Sequence, residues 1–339
     1  MSRTLTGAVF VLTGGSSGIG LAAAHAFARS GAHLVLAARN ADRLTAAATT
    51  CTDLGADVLT VPTDVTESTQ VERLAAAAVD RFGRIDVWVN AAGTSLWGPF
   101  EEIPVDVHDR LVRLDLLGAL HGCAAAVPRM LAAGGRGVIV NVVSVAGRLP
   151  TPWASSYTAA KYGLAGFTDA LRAELAVRSD IAVCGVYPSF VDTPTYLESG
   201  NWTGRTLRPV PPVVSPERVA ERIVGLAVRP RRSVRVGSLN ALALPYTLAP
   251  DAVSRVAARR GRRYLLGSGP PAPPDPGGLS GARPGPARTR GGWGREQRRR
   301  ARLLVASVGA AVGRRRHHLP APHVPVGRWR RAPRLASGP

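Results

Sequence analysis

Short apolar runs alternate with longer amphipathic stretches through the first 190 residues. Ala8–Leu12, His33–Ala38, Asp57–Val61, Ile85–Val89, Val138–Val143 and Ile181–Tyr187 place Val, Ile, Leu and Ala on consecutive positions, the pattern of strands covered on both faces. Between them, Ile19–Ser30, Ala41–Asp53, Ser68–Phe82, Val105–Ala132 and Ala154–Arg178 have helical spacing and much alanine. Strand and helix in strict alternation predict a parallel, doubly wound α/β sheet with right-handed crossovers and helices on both faces. Glu217–Val228 reads as a further helix, with Ser215 as its cap and Pro216 in its first turn. Ser233–Val236 supplies a further strand, about seven in all. A single domain is thus expected over residues 1–240, followed by a helical extension over 241–267 made of Leu239–Leu248 and the basic Ala252–Leu266.

After that the pattern is lost. Of the 72 residues in 268–339, 12 are Pro and 12 are Gly, which predicts a disordered tail. Its only apolar run, Leu303–Val312, is short, and no apolar run in the chain reaches the roughly 18 residues of a membrane helix. Ala8–Leu12 is too short for the core of a signal peptide.

Charge sharpens this division. The chain of 339 residues has a formal net charge of +20, which taken whole points to a polyanion partner. Residues 1–228, however, hold 19 basic and 20 acidic side chains, 229–267 hold 9 and 1, and 268–339 hold 15 and 2. The excess lies entirely at the end, in a segment with few aromatics and no nucleic-acid motif. Contact with nucleic acid or membrane through the tail is therefore the weaker reading. The stronger one is sequence beyond the fold, a shifted reading frame included. Cys51, Cys123 and Cys184 are odd in number and widely spaced, which argues against disulfides or a metal site and for a reducing, cytoplasmic location. The scattered His25, His33, His108 and His121 read as structural or surface groups, so no metal is expected.

The first strand runs into Thr13-Gly14-Gly15-Ser16-Ser17-Gly18-Ile19-Gly20. A glycine-rich turn at a helix N-terminus offers free N–H groups and a favourable dipole to a pyrophosphate. The second strand ends at Ala38-Arg39-Asn40, where an acidic residue would bind a ribose diol and an arginine instead suits a ribose 2′-phosphate. This favours NADP over NAD. Asp64 ends the third strand, placed to accept from an adenine amino group. Asn90-Ala91-Ala92-Gly93 ends the fourth with small residues that leave room for a ligand. Tyr157 and Lys161 stand four apart on one helix face. A cation there favours phenolate and lowers the tyrosine pKa from about 10. Lys161 is the only lysine among 43 basic residues, and Ser144 ends the fifth strand thirteen residues before Tyr157.

In this order, TGxxxGIG over Thr13–Gly20, NAAG over Asn90–Gly93, Ser144 and Tyr157-x-x-x-Lys161 resemble the short-chain dehydrogenases/reductases. Pro188-Ser189-Phe190-Val191-Asp192-Thr193 continues the likeness, which covers roughly residues 5–240. The resemblance implies a Rossmann-like fold and reversible hydride transfer between a nicotinamide and a ketone, aldehyde or secondary alcohol. It implies Tyr157 as general acid/base, Lys161 lowering its pKa and holding the nicotinamide ribose, and Ser144 polarising the carbonyl. It further implies Gly14, Ser16, Ser17, Gly18, Ile19 and Gly20 along the pyrophosphate and adenosine ribose. Asp64 and Val65 would flank adenine, with Asn90, Ala91 and Gly93 on the adenosine side and Pro188, Val191 and Thr193 at the nicotinamide amide. A homodimer or homotetramer packed through the two long helices is expected by the same likeness.

Two positions depart from that pattern. Asp115 stands where the family has an asparagine that kinks its helix and holds a proton-relaying water. Its charge beside Lys161 would alter the local titration. Ser189 replaces a glycine. Trp97, Phe100 and Trp153 are candidates for an apolar substrate pocket. Beside the reductase stands the alternative of a weakly active or inactive member that binds a dinucleotide as a sensor or scaffold.

Overall fold

A computed structural model describes residues 4–266 and 269–295. Seven strands form one parallel sheet: β1 (Val9–Thr13), β2 (His33–Ala38), β3 (Asp57–Pro62), β4 (Val87–Asn90), β5 (Arg136–Val142), β6 (Asp180–Pro188) and β7 (Ser233–Val236). Their spatial order is β3-β2-β1-β4-β5-β6-β7. The chain thus walks outward from β1 in one direction, returns, and continues from β4 in the other. The crevice between β1 and β4, at the carboxyl ends of the strands, is where such sheets bind ligands.

The consecutive apolar runs have a direct explanation in the packing. Phe10 and Leu12, Leu34 and Leu36, and Val138 and Val140 enter one core cluster. The residues between them, Val11, Val35 and Ile139, enter a second cluster on the opposite face. Helices α1 (Gly18–Ala28), α2 (Ala41–Asp53) and α7 (Pro216–Val228) cover the first face through Leu21, Leu44 and Ile223. Helices α3 (Ser68–Phe82), α5 (Gly118–Ala132) and α6 (Ser155–Ala176) cover the second through Leu74, Met130 and Leu175. The local signals agree with these elements. Ser215 Oγ accepts the Arg218 N–H at the start of α7, and Gly83, left-handed at φ 78°, ends α3.

The long helix predicted over Val105–Ala132 is interrupted. It consists of α4 (Val105–Val112), a π-helical turn at Arg113–Leu117, and α5. Such a turn carries one residue too many for the α ladder and re-aims its side chains, commonly at functional sites. Here it turns Asp115 into the interior. Taken as one run, Val105–Ala132 is long and apolar enough by length and composition to cross a membrane, which a scan for unbroken apolar runs passes over. More than half of its apolar window is buried against the protein, as in a core helix.

In the extension, α8 (Ala243–Leu248) and α9 (Pro250–Gly261) bury no residue. Residues 269–295, which composition assigns to the tail, lie against the carboxyl edge of the sheet. Asp275 forms a bridge with Asn201 and Pro271 with Arg205, while Leu279 enters the second core cluster. A Pro/Gly segment lacks the periodicity of helix or strand, but its backbone carbonyls remain strong acceptors, and arginines of the body use them. The expectation for residues 296–339 lies outside the described residues.

Candidate active site

The glycine-rich turn leaves β1 under tight constraint. Gly14 adopts φ +70°, and a Cβ there would meet the Ala92 backbone at 2.8 Å. A Cβ on Gly20 would lie 2.2 Å from the Gly14 carbonyl oxygen. Gly20 therefore closes the turn rather than facing the cleft, whereas Gly14, Ser16, Ser17, Gly18 and Ile19 all line it. Thr13, the first residue of the motif, ties the turn to its neighbour: its Oγ1 accepts the N–H groups of Ala91 and Ala92 at 3.2 and 3.3 Å. Ala91 and Gly93 line the cleft, but Asn90 stands behind it. Its Nδ2 donates to Asn141 Oδ1 at 2.8 Å and to the Ala119 carbonyl at 3.2 Å, and its Oδ1 accepts from Trp88 Nε1. Asn90 thus joins β4, β5 and α5.

Arg39, Asp64 and Val65 line the outer end of the cleft. Arg39 has no ion-pair partner among the described residues; its Nη2 donates to the Gly278 carbonyl at 2.7 Å. Arg43, one helical turn further on, is buried and paired with Glu198 at 2.8 Å. Asp64 uses Oδ1 to cap its own turn, accepting from the Thr66 N–H and hydroxyl. At the inner end lie Pro188, Val191 and Thr193. Ser189 fits where the resemblance calls for glycine because Gly237 faces it: a Cβ on Gly237, at φ +100°, would lie 1.9 Å from Ser189 Oγ.

Ser144, Tyr157, Lys161 and Asp115 converge at the centre. Ser144 Oγ accepts the Ala146 N–H at 3.1 Å, which fixes its rotamer at the end of β5. The Lys161 ammonium lies 5.7 Å from the centre of the Tyr157 ring and 3.0 Å from Asp115 Oδ2. Both members of this ion pair are buried, at 5% and 1% exposure. Asp115 Oδ1 accepts the Thr94 N–H at 2.9 Å. Burial raises the Asp115 pKa above the ordinary carboxylate range, against the pull of Lys161 and the Thr94 N–H. Burial disfavours the Lys161 ammonium, but Asp115 and Tyr157 more than offset it, and its pKa is raised. For Tyr157, burial raises the pKa and Asp115 adds to the rise. Lys161 and a hydrogen bond with Ser144 oppose them, and the net direction is upward. The lowering expected from the Tyr–Lys spacing is present but outweighed by burial of the phenol and by the Asp115 carboxylate.

An aromatic wall adjoins this centre. Trp97, Phe190 and Tyr196 line the cleft, with ring centroids 6.4 Å apart for Trp97–Phe190 and 6.3 Å for Phe190–Tyr196. Of the aromatics singled out beforehand, Trp97 lines the cleft and Trp153 packs in the same cluster behind it. Phe100 instead is 62% exposed and stacks on His108. Phe190, just after β6, and Tyr196, in the short helical turn Thr195–Glu198, lie in segments too short and irregular to carry a periodic signal. No group of three His, Cys, Asp or Glu side chains arranged to hold a metal occurs among the described residues.

Known proteins resemble this chain in sequence and in fold. The family model for short chain dehydrogenase matches residues 8–203. An uncharacterized oxidoreductase of Bacillus subtilis is 34% identical over 262 residues, covering 75% of this chain and 72% of its own. The D-beta-hydroxybutyrate dehydrogenase of Rhizobium meliloti is 36% identical over 186 residues, 54% of this chain and 71% of its own. Among solved structures, a variant of the actinorhodin polyketide ketoreductase with NADPH superposes with a TM-score of 0.61 at 29% identity, covering 71% of this chain and 99% of that one. The chain belongs to the short-chain dehydrogenase/reductase family of oxidoreductases.

Proposed function

We propose that the protein is an NADP(H)-dependent reductase of ketones or aldehydes, reversibly a dehydrogenase of secondary alcohols. The observation that carries this reading is convergence. Ser144 from the end of β5, and Tyr157 and Lys161 from α6, meet in the cleft that the glycine-rich turn and Arg39 also line. The cleft fits a dinucleotide in its donor set: N–H groups at the start of α1 that no α-helical carbonyl satisfies, for the phosphates, and an arginine without a carboxylate partner for a 2′-phosphate. Val191 and Thr193 would hold the nicotinamide amide, and Lys161 its ribose. The bound dinucleotide supplies the hydride that joins the carbonyl carbon.

The protein's own part is orientation and proton supply. Ser144 Oγ donates to the carbonyl oxygen and holds it beside Tyr157 Oη. Tyr157 then gives its proton to that oxygen as the hydride arrives. A phenol whose pKa is raised is protonated at neutral pH, the state that reduction requires. Lys161 is the next proton-bearing group behind it, with the Asp115 carboxylate as its acceptor. The wall of Trp97, Phe190 and Tyr196 favours a substrate with an apolar substituent beside the carbonyl.

The test is NADPH consumption against a panel of ketones and aldehydes, with Tyr157→Phe as the control. Turnover by the native chain and a loss of about 10²-fold or more in the variant, with NADPH binding retained, are expected. Undiminished turnover by the variant removes Tyr157 from the chemistry. The second reading, a dinucleotide-binding member without turnover, is favoured by the Asp115–Lys161 ion pair, which opposes formation of phenolate. Binding of NADPH with no turnover across the whole panel would support it.

A further inference from the structure

We propose that residues 275–293 form a displaceable strap that competes with the phosphates of the dinucleotide for the same donors, so that coenzyme binding requires its release. The inference rests on the dinucleotide reading above. The Gly18 N–H, at the start of α1, donates to the Arg288 carbonyl at 3.0 Å, and Ser17 Oγ donates to the same oxygen at 3.4 Å. Arg39 Nη2 donates to the Gly278 carbonyl at 2.7 Å. A carbonyl oxygen on these groups is a neutral stand-in for a phosphate oxygen. The turn assigned to the pyrophosphate and the arginine assigned to the ribose phosphate are therefore both engaged by one segment. Gly278, Ala282 and Arg283 line the cleft, whose volume of about 270 Å³ lies below the roughly 300–1,000 Å³ of ligand sites.

The strap is anchored at points other than the Gly18, Ser17 and Arg39 donors. Asp192 accepts the backbone N–H groups of Trp293 and Gly294 at 2.7 and 3.0 Å. The Trp293 ring meets Tyr196 edge-on at 6.3 Å. Arg290 makes a two-pronged pair with Glu217, each contact 2.9 Å, but both side chains are nearly half exposed. Exposed pairs contribute little, and Leu279 is the strap's one buried large apolar side chain. Phosphate oxygens make charge-assisted bonds about twice as strong as those to neutral carbonyls. The ligand thus wins donor for donor, while the strap holds through its covalent tether and high effective concentration.

The experiment is a fluorescence titration of NADPH on three proteins: the full chain, a chain ending at Leu266, and the full chain carrying Arg290→Glu and Trp293→Ala. These two substitutions loosen the anchors without touching the cleft donors. Release of the strap should tighten binding about tenfold or more, since the apparent affinity rises with the competent fraction. If the shortened chain does not fold, the anchor variant carries the test. In parallel, NADPH should hasten trypsin cleavage after Arg283 and Arg288 in the native full chain. Equal affinities, or protection of those sites by NADPH, would overturn the strap while leaving the dinucleotide reading standing. Failure of every protein to bind NADPH or NADH would overturn both.

Discussion

Lys161, the one lysine retained among 43 basic residues, is also the residue whose surroundings changed most between sequence and structure. The spacing to Tyr157 was readable, because four residues bring two side chains to one helix face. The nearness of Asp115 followed only from the family likeness, since Asp115 lies 46 residues earlier on a different helix, and the direct ion pair is set by the tertiary structure. Its consequence can be measured. Asp115 disfavours the Tyr157 phenolate and so raises the tyrosine pKa. Asp115→Asn removes that charge and should move the alkaline rise of alcohol oxidation, which needs the phenolate, to lower pH. A pH–rate profile unchanged or shifted upward would contradict the coupling. Arg39 yields a second test. Replacing it with Asp removes a charge-assisted contact worth about 1.5–3 kcal/mol, so the preference for NADPH over NADH should fall by about tenfold or more. The ratio of the two coenzymes cancels the lost bond to Gly278, and an unchanged ratio would exclude Arg39 as the phosphate reader.

The elements follow the hydrophobic pattern closely because the central strands are apolar on both faces and the helices that cover them on one. Where they depart from it, a tertiary contact decides. The π-helical turn at Arg113–Leu117 has no breaker residue to announce it, and is defined by Asp115 reaching Lys161 and the Thr94 N–H. Asn90 was legible as part of a motif, yet its side chain turns into the network between β4, β5 and α5. That junction leaves no room. A Cβ on Gly122 of α5 would lie 2.1 Å from Asn90 Oδ1 and 2.6 Å from Trp88 Nε1. Gly122→Ala should therefore cost about 1–3 kcal/mol through overpacking, seen as a fall in Tm of several degrees. An unaltered melting curve would mean that α5 can withdraw from the sheet.

At the scale of the whole molecule, the net charge of +20 first suggests a polyanion partner, then divides into a nearly neutral body and a basic end. Part of that end returns to the body: residues 269–295 lie against the cleft with Arg290 paired to Glu217, while Arg283 pairs with Asp275 inside the segment. Composition alone put this segment with the structure-breaking tail, because Pro and Gly lower local propensity. What holds it is the demand of buried arginine and N–H donors for acceptors, which no local pattern encodes. By itself, the sequence determined the sheet, its layers and the chemical groups at its carboxyl edge, since periodicity and short motifs act over a few residues. Only the tertiary structure decided the direction in which Tyr157 titrates and the segment that covers the glycine-rich turn and Arg39. Both depend on groups far apart in the chain, brought within about 3 Å by the packing of the fold.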